Sequence, residues 1–173
     1  MGRPRGGGVR GEAGVRLSAG QRKPEAEGVA LRYLGLRDRT ENEVRTHLEG
    51  KGFCRQAVEE AVSKLRGWGY LDDARTALGM ARDRIERSHW GPARLALELG
   101  RRGISPSVVE DVLLQVMEGR NEEQLASSAA RRYLRAHPSS TGEKGMRRLA
   151  GFLGRRGYSG DVIGRVVKGH LNG

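Results

Sequence analysis

The residues of this chain that are suited to bond-making chemistry are few, and their spacing joins none of them into a constellation. His47, His89, His137 and His170 stand far apart, with no HExxH helix and no paired Cys/His ligands of the kind that hold zinc. Cys54 is the only cysteine, so an internal disulfide and a thiolate cluster are both unavailable, and its plain reading is a small residue at a helix start. Asp72-Asp73 is the one conspicuous acidic pair. Two carboxylates at a helix N-terminus complement the macrodipole and need no metal or acid–base role. The phosphate loop GxxxxGK[ST] and the nucleophile elbow GxSxG are both missing. No catalytic residue, metal or cofactor is expected, and the chain reads as a non-enzyme.

What the chain has in quantity is arginine. Its 173 residues carry a formal charge of +11, unevenly spread: residues 1–24 are net +5, residues 25–124 net −2, and residues 125–173 net +8. That last excess is more than helix C-termini require, and it marks a candidate polyanion-binding face. The set comprises Arg131, Arg132, Arg135, Lys144, Arg147, Arg148, Arg155 and Arg156, with Arg101 and Arg102 upstream. A solvated face with C-cap charges is the competing reading of each residue taken alone.

The elements that must carry these cations are helices. Aromatic residues are 5 % of the chain, and Val, Ile and Phe are sparse beside Arg, Ala, Leu, Glu and Gly. No run approaches the roughly 20 apolar residues of a membrane span, and no apolar export signal is present, so a cytoplasmic protein is expected. Residues 1–24, with a GGG run, two prolines and scattered arginine, read as a disordered basic tail. Beyond it, apolar residues recur at three- and four-residue spacing, which predicts nine helices over roughly 25–36, 40–51, 54–67, 72–87, 91–102, 105–117, 121–136, 143–156 and 159–171.

One phrase occurs three times: LEGKGFCRQAVEEAV (48–62), LGRRGISPSVVEDVL (99–113) and LGRRGYSGDVIGRVV (153–167). Gly52, Gly103 and Gly157 read as left-handed helix endings, with Lys51, Arg102 and Arg156 at the C-cap facing the negative end of the dipole. In a Schellman ending the next residue packs five back, pairing Phe53 with Leu48, Ile104 with Leu99 and Tyr158 with Leu153. Trp68-Gly69-Tyr70 repeats the ending, with Leu65 placed to receive Tyr70. Thr40-Glu41-Asn42-Glu43 is a capping box, Asp72 and Ser105 read as N-caps, and Ser159 holds the equivalent place. The fold predicted is all-α, three tandem three-helix repeats forming an elongated, curved body: repeat 1 at 25–71, repeat 2 at 72–118 and repeat 3 at 119–173. Gly142-Glu143-Lys144-Gly145 matches the GxxG loop of KH folds, but the strands such a fold needs are absent and a linker is the reading adopted.

The segment from about Arg32 to Val167 resembles the RecX family, bacterial regulators of the recombinase RecA. The resemblance is carried by RDRTENEVRTHLEGKGF at 37–53, LRGWGYLDDAR at 65–75, WGPARLALELGRRGIS at 90–105 and GFLGRRGYS at 151–159, in this order and spacing. Thr76 stands where the family usually has an aromatic residue, and the Arg-rich tail lies outside the family pattern. The resemblance implies an elongated helical monomer that binds along the groove of the RecA–DNA filament and lowers RecA's ATP hydrolysis, strand exchange and co-protease activity. It names the RecA filament as partner; the ten basic residues above, singled out by their charge, are the face expected to meet it, through acidic RecA surface or weakly through DNA phosphate. Two other classes remain open: a direct nucleic-acid-binding module, since the Gly-turned helix pairs superficially resemble helix-turn-helix units, and a scaffold for some other protein. A base reader needs polar side chains that reach base edges, whereas the second helices here are apolar and poor in Asn and Gln.

Overall fold

The computed structural model describes residues 23–140 and 142–171. Among these residues the chain forms nine helices and no strand: α1 (Lys23–Leu34), α2 (Glu41–Gly50), α3 (Arg55–Gly67), α4 (Asp73–Ser88), α5 (Pro92–Arg101), α6 (Pro106–Met117), α7 (Glu122–Ala136), α8 (Gly142–Arg156) and α9 (Gly160–Leu171). α1 begins at Lys23, just inside the stretch read as a tail; residues 1–22, on which the rest of that expectation falls, lie outside the described residues.

Three separate cores follow one another along the chain. α1–α3 bury Ala26, Ala30, Val44, Leu48, Val58, Val62 and Leu65; α4–α6 bury Ala77, Ala81, Ile85, Leu95, Leu99 and Val112; α7–α9 bury Ala126, Ala130, Leu149, Leu153, Val162 and Val166. The outer helices contribute mostly alanine and valine, which lets them approach closely, and the middle helix contributes most of the leucines, with Leu65 of α3 the exception in the first unit. Thr76, in place of an aromatic, is itself buried, so that position is an inward one filled by a smaller side chain.

The glycine endings form as the spacing predicts. Phe53 N–H donates to Leu48 O (3.3 Å) and Gly52 N–H to Glu49 O (2.9 Å), and the same bond pair recurs at Ile104/Gly103 and Tyr158/Gly157. At Trp68-Gly69-Tyr70 the bonds form too, but the packing differs. Leu71 takes the inward place at 2 % exposure, while Trp68 and Tyr70 both remain 56 % exposed. Two other expectations need correcting. Ser159 does not cap α9 with its hydroxyl; its N–H and Oγ both go to Glu122. Gly142–Gly145 is not a linker but the first turn of α8, where Gly145 is buried so tightly against Ser140 that no Cβ would fit.

The units are joined by a second use of these endings. In the second and third units the C-terminus of the middle helix meets the N-terminus of the preceding unit's middle helix. Thr40 Oγ1, at the start of α2, donates to Arg102 O at the end of α5 (2.7 Å). Gly91 N–H and Ala93 N–H, at the start of α5, donate to Arg156 O (2.7 Å) and Gly157 O (3.2 Å) at the end of α8. Opposite ends of two macrodipoles are thereby apposed, and backbone groups that a lone helix leaves unpaired are satisfied. Asp72 caps its own helix through Arg75 N–H (2.8 Å), whereas Asp73 accepts Glu41 N–H (2.8 Å) and so ties α4 to α2.

Gly52 and Gly157 share a φ of +84°, yet only Gly157 sits in a joint; a Cβ there would run into the backbone nitrogen of Arg94. Gly52→Ala therefore carries only left-handed strain, about 1–2 kcal/mol. Gly157→Ala adds overpacking of about 1–3 kcal/mol and separates the second and third units. Urea unfolding of the two variants should show the larger loss at Gly157; equal losses would mean that the joint contributes nothing.

Candidate functional site

The two joints share a backbone geometry and differ in charge, and the difference arises at one helix position. Three residues after the N-cap stands Glu43 in α2 and Arg94 in α5. Glu43 closes the capping box on Thr40 N–H (3.0 Å) and lies 3.6 Å from both Arg37 and Arg102. Beside it, the Arg66 guanidinium hydrogen-bonded to Glu41, with Arg45 adding to it, holds that carboxyl below its ordinary range, while burial pushes the Asp73 carboxyl up. In the joint between the first and second units, Arg37 and Arg102 are thus matched by Glu43, and Arg45 and Arg66 by Glu41.

The joint between the second and third units is cationic. Arg94 donates to Arg155 O (2.6 Å) and lies over the Trp90 ring (4.4 Å to the centroid), with Arg84 also against that ring at 4.9 Å. Arg156 packs on Phe152 (5.0 Å) and donates to Ser88 O. His89, which ends α4 at φ 50° and ψ 48°, holds a left-handed conformation that costs a non-glycine residue about 1–2 kcal/mol. That turn presents the Ser88 and His89 carbonyls to the third unit, where the Tyr158 hydroxyl donates to His89 O (3.1 Å). Burial pushes the Tyr158 phenol up to about 12. Burial lowers Arg156, and the positive charges of Arg94 and Arg132 lower it further; burial, Arg132 and Arg156 likewise lower His89.

Next to this joint opens a cleft of about 330 Å³ whose wall includes Arg94, Leu97, Glu98, Arg101, Gly154 and Arg155. Helical periodicity explains why the arginines converge. Arg94 and Arg101 are seven residues apart on one face of α5, and Lys144, Arg148 and Arg155 share one stripe of α8. The two stripes meet where α8 abuts α5. Gly154 adds no side chain to block the cleft, and Glu98 is drawn toward Arg102 (3.9 Å). Such a site can hold phosphate or carboxylate oxygens; it contains no acid–base pair, and no group of three His, Cys, Asp or Glu able to hold a metal occurs among the described residues. Cys54 is exposed at the start of α3 and makes no side-chain cap bond.

The ten basic residues singled out by sequence fall into different roles. Arg101 and Arg155 line the cleft. Lys144 and Arg148 are exposed on α8, and Arg132 and Arg135 on α7; none of these has an ion-pair partner among the described residues. Arg132 also reaches the joint electrostatically. Arg131 bonds Ser128 Oγ (3.1 Å), and Arg147 is paired with Glu143 one turn away. Arg102 and Arg156 are joint residues: Arg102 is held between Glu43 and Glu98 with its side chain 17 % exposed, and Arg156 is spent on Ser88 and Phe152. Arg94 was absent from the sequence-based set, although its seven-residue spacing to Arg101 was legible.

These placements separate binding from stability. Arg101→Gln with Arg155→Gln should change the unfolding free energy by less than about 0.5 kcal/mol, as for other exposed substitutions. Arg102→Gln with Arg156→Gln should cost about 1–3 kcal/mol, since each removes a charged hydrogen-bond or ion-pair partner from a partly buried joint. Denaturant titration of the two double variants checks the order; equal stability would deny the joint role.

Three family models match this chain in tandem: the first three-helix domain of RecX over residues 26–65, the second over 72–113 and the third over 121–167. A regulatory protein RecX from Trichlorobacter lovleyi is 36% identical over 140 residues, covering 80% of this chain and 91% of the relative. Another from Amycolatopsis mediterranei is 30% identical over 151 residues, covering 87% and 86%. The crystal structure of RecX from Lactobacillus salivarius superposes with a TM-score of 0.74 at 21% identity, covering 88% of this chain and 98% of that one. The match runs through all three units and both joints, and this chain belongs to the RecX family of regulatory proteins.

Proposed function

We propose that this protein regulates recombination by binding the RecA–DNA filament as a monomer and lowering RecA's ATP hydrolysis, strand exchange and co-protease activity, with no catalysis of its own. Family membership supports the regulatory role. The observation that carries the contact is the cationic second joint: Arg94, Arg132 and Arg156 crowd it, and Arg101 and Arg155 line the adjoining cleft without an ion-pair partner among the described residues. Crowded cations repel, and an incoming polyanion relieves that repulsion. The spacing of Lys144, Arg148 and Arg155 along one stripe of α8, about 16 Å from first to last, suits an extended array of charges and not a small ligand. In this reading the DNA phosphates of the filament are the charges met by α8 and α5. No described helix is long and apolar enough to cross a membrane, in keeping with action in the cytoplasm.

Direct binding to free DNA is the second reading, and the same cleft favours it. The two are told apart with one variant. Near-stoichiometric protein should depress DNA-dependent ATP hydrolysis by the cognate RecA, and unchanged turnover at saturating protein would refute the regulatory reading. The quadruple variant Arg101→Gln, Lys144→Gln, Arg148→Gln, Arg155→Gln should fold like the parent and inhibit less. If the lost contacts are to phosphate, its affinity for DNA without RecA should fall, and the slope of log affinity on log salt should flatten by about 0.7–0.9 per contact. If they are to acidic protein surface, free-DNA binding stays and filament binding falls. A variant that folds and inhibits at full potency would refute the assignment of this face.

A further inference from the structure

An apolar groove lies on the side of α5 away from the basic stripe. It has a volume of about 890 Å³ and runs between α5 and α6 of the second unit. Its floor is formed by Ala96, Ile104, Val109, Leu113 and Met117, and Leu114 stands 68 % exposed on its edge. On a helix, Ala96 and Gly100 face away from Arg94 and Arg101, so the second unit offers an apolar face on one side and a cationic face on the other.

Internal comparison of the repeats shows what this groove lacks. Aligned on the glycine endings, Ala96 takes the place of Arg45 in the first unit, Glu110 that of Glu59, and Leu114 that of Ser63. In the first unit Arg45 grips Glu59 through two bonds (2.9 and 3.3 Å) and also reaches Glu41. That ion pair closes the surface over α2 and α3. In the second unit the carboxylate is retained and the arginine is gone: Glu110 is exposed on the groove with no cation partner among the described residues, and Glu118 is in the same state at the far end. In the third unit Lys168 takes the place of Leu114, and no comparable apolar edge is formed.

We infer that this groove is a docking site for a protein segment that folds as a basic amphipathic helix. Two packed helices with an apolar furrow between them receive a third helix by ridge-into-groove packing, with anchors at i, i+3 or i+4, and i+7. The floor takes those anchors, and Lys or Arg on the flanks of the segment supplies the cations that Glu110 and Glu118 lack. A second copy of this chain paired through the same face would bring Glu110 and Glu118 of each copy together, which is repulsive. Residues 1–24 are basic but carry no apolar stripe. Docking of a basic partner helix on this face leaves the cationic face free, so the site is independent of the filament contact.

Two fluorescent helical peptides of about 14 residues, about 21 Å long, test this with the full-length protein. They share one leucine stripe and differ only in carrying Lys or Glu on the flanks. At about 0.15 M salt the Lys peptide should bind about tenfold more tightly than the Glu peptide by anisotropy. Leu114→Arg alters a side chain that is already exposed, so the fold should survive; it should weaken Lys-peptide binding about tenfold while leaving the melting temperature and RecA inhibition unchanged. Glu110→Lys with Glu118→Lys should invert the preference between the peptides. Equal binding of both peptides, or no effect of Leu114→Arg, overturns the inference. So does a concentration-dependent dimer that Leu114→Arg dissociates, which would make a second copy the occupant.

Discussion

Every level of this structure depends on the left-handed glycine that ends each middle helix. Without a Cβ the chain turns at positive φ at little cost, the helix stops, and its last carbonyls are exposed at a point where another backbone can approach closely. In the second and third units that approach is made by the N-terminus of the preceding unit's middle helix. Helix ends that would otherwise go to water satisfy one another, and the dipoles add in the favourable sense. Each unit is small and its core is modest, built largely from alanine, valine and a few leucines. The helices pack chiefly within their own unit, and the few bonds of each joint set how neighbouring units meet. The carbonyls that end one unit's middle helix therefore also fix the position of the preceding unit.

On that shared backbone, side chains at a single position set the electrostatic character. Glu43 makes the first joint a closed network with Arg37 and Arg102, and Arg94 makes the second a concentration of like charge. The second arrangement is the less comfortable one. Burial, with Arg94 and Arg132 adding to it, lowers Arg156; burial, with Arg132 and Arg156 adding to it, lowers His89; and Arg101 and Arg155 have no acid partner among the described residues. Local departures from the most stable arrangement are expected where a protein binds something else. The cleft beside Arg94 is where such a departure coincides with helical stripes aimed at one place.

The second unit is the middle one in order, and its surface differs most from side to side. α5 carries arginines on one face and helps build an apolar furrow on the other, while α6 adds Leu114, whose place the corresponding helices fill with Ser63 and Lys168. Repetition of a unit keeps the inward positions alike, because each must fill a similar core. The outward positions are released from that constraint, and they are where the three units differ.

The residues alone determined the helices, their endings and their grouping in threes. These follow from local rules: the 3.6-residue period, the φ available to glycine, and the caps at Thr40, Asp72 and Ser105, all realised here. Local rules also explain the errors. Tyr70 was paired with Leu65 because it occupies the Schellman position, but burial is decided by what else reaches that spot, and Leu71 reached it. Ser159 was read as a cap, yet Glu122 from another helix competes for its N–H and hydroxyl. Arg102 and Arg156 looked like the neighbouring arginines, and only the meeting of two units made them joint residues while leaving Arg101 and Arg155 outside. The cationic cleft and the unpaired Glu110 likewise depend on distances between residues far apart in the chain. Helical periodicity assigns a side chain to a face of its own helix; which faces meet is decided by packing between helices, and that exists only in the tertiary structure.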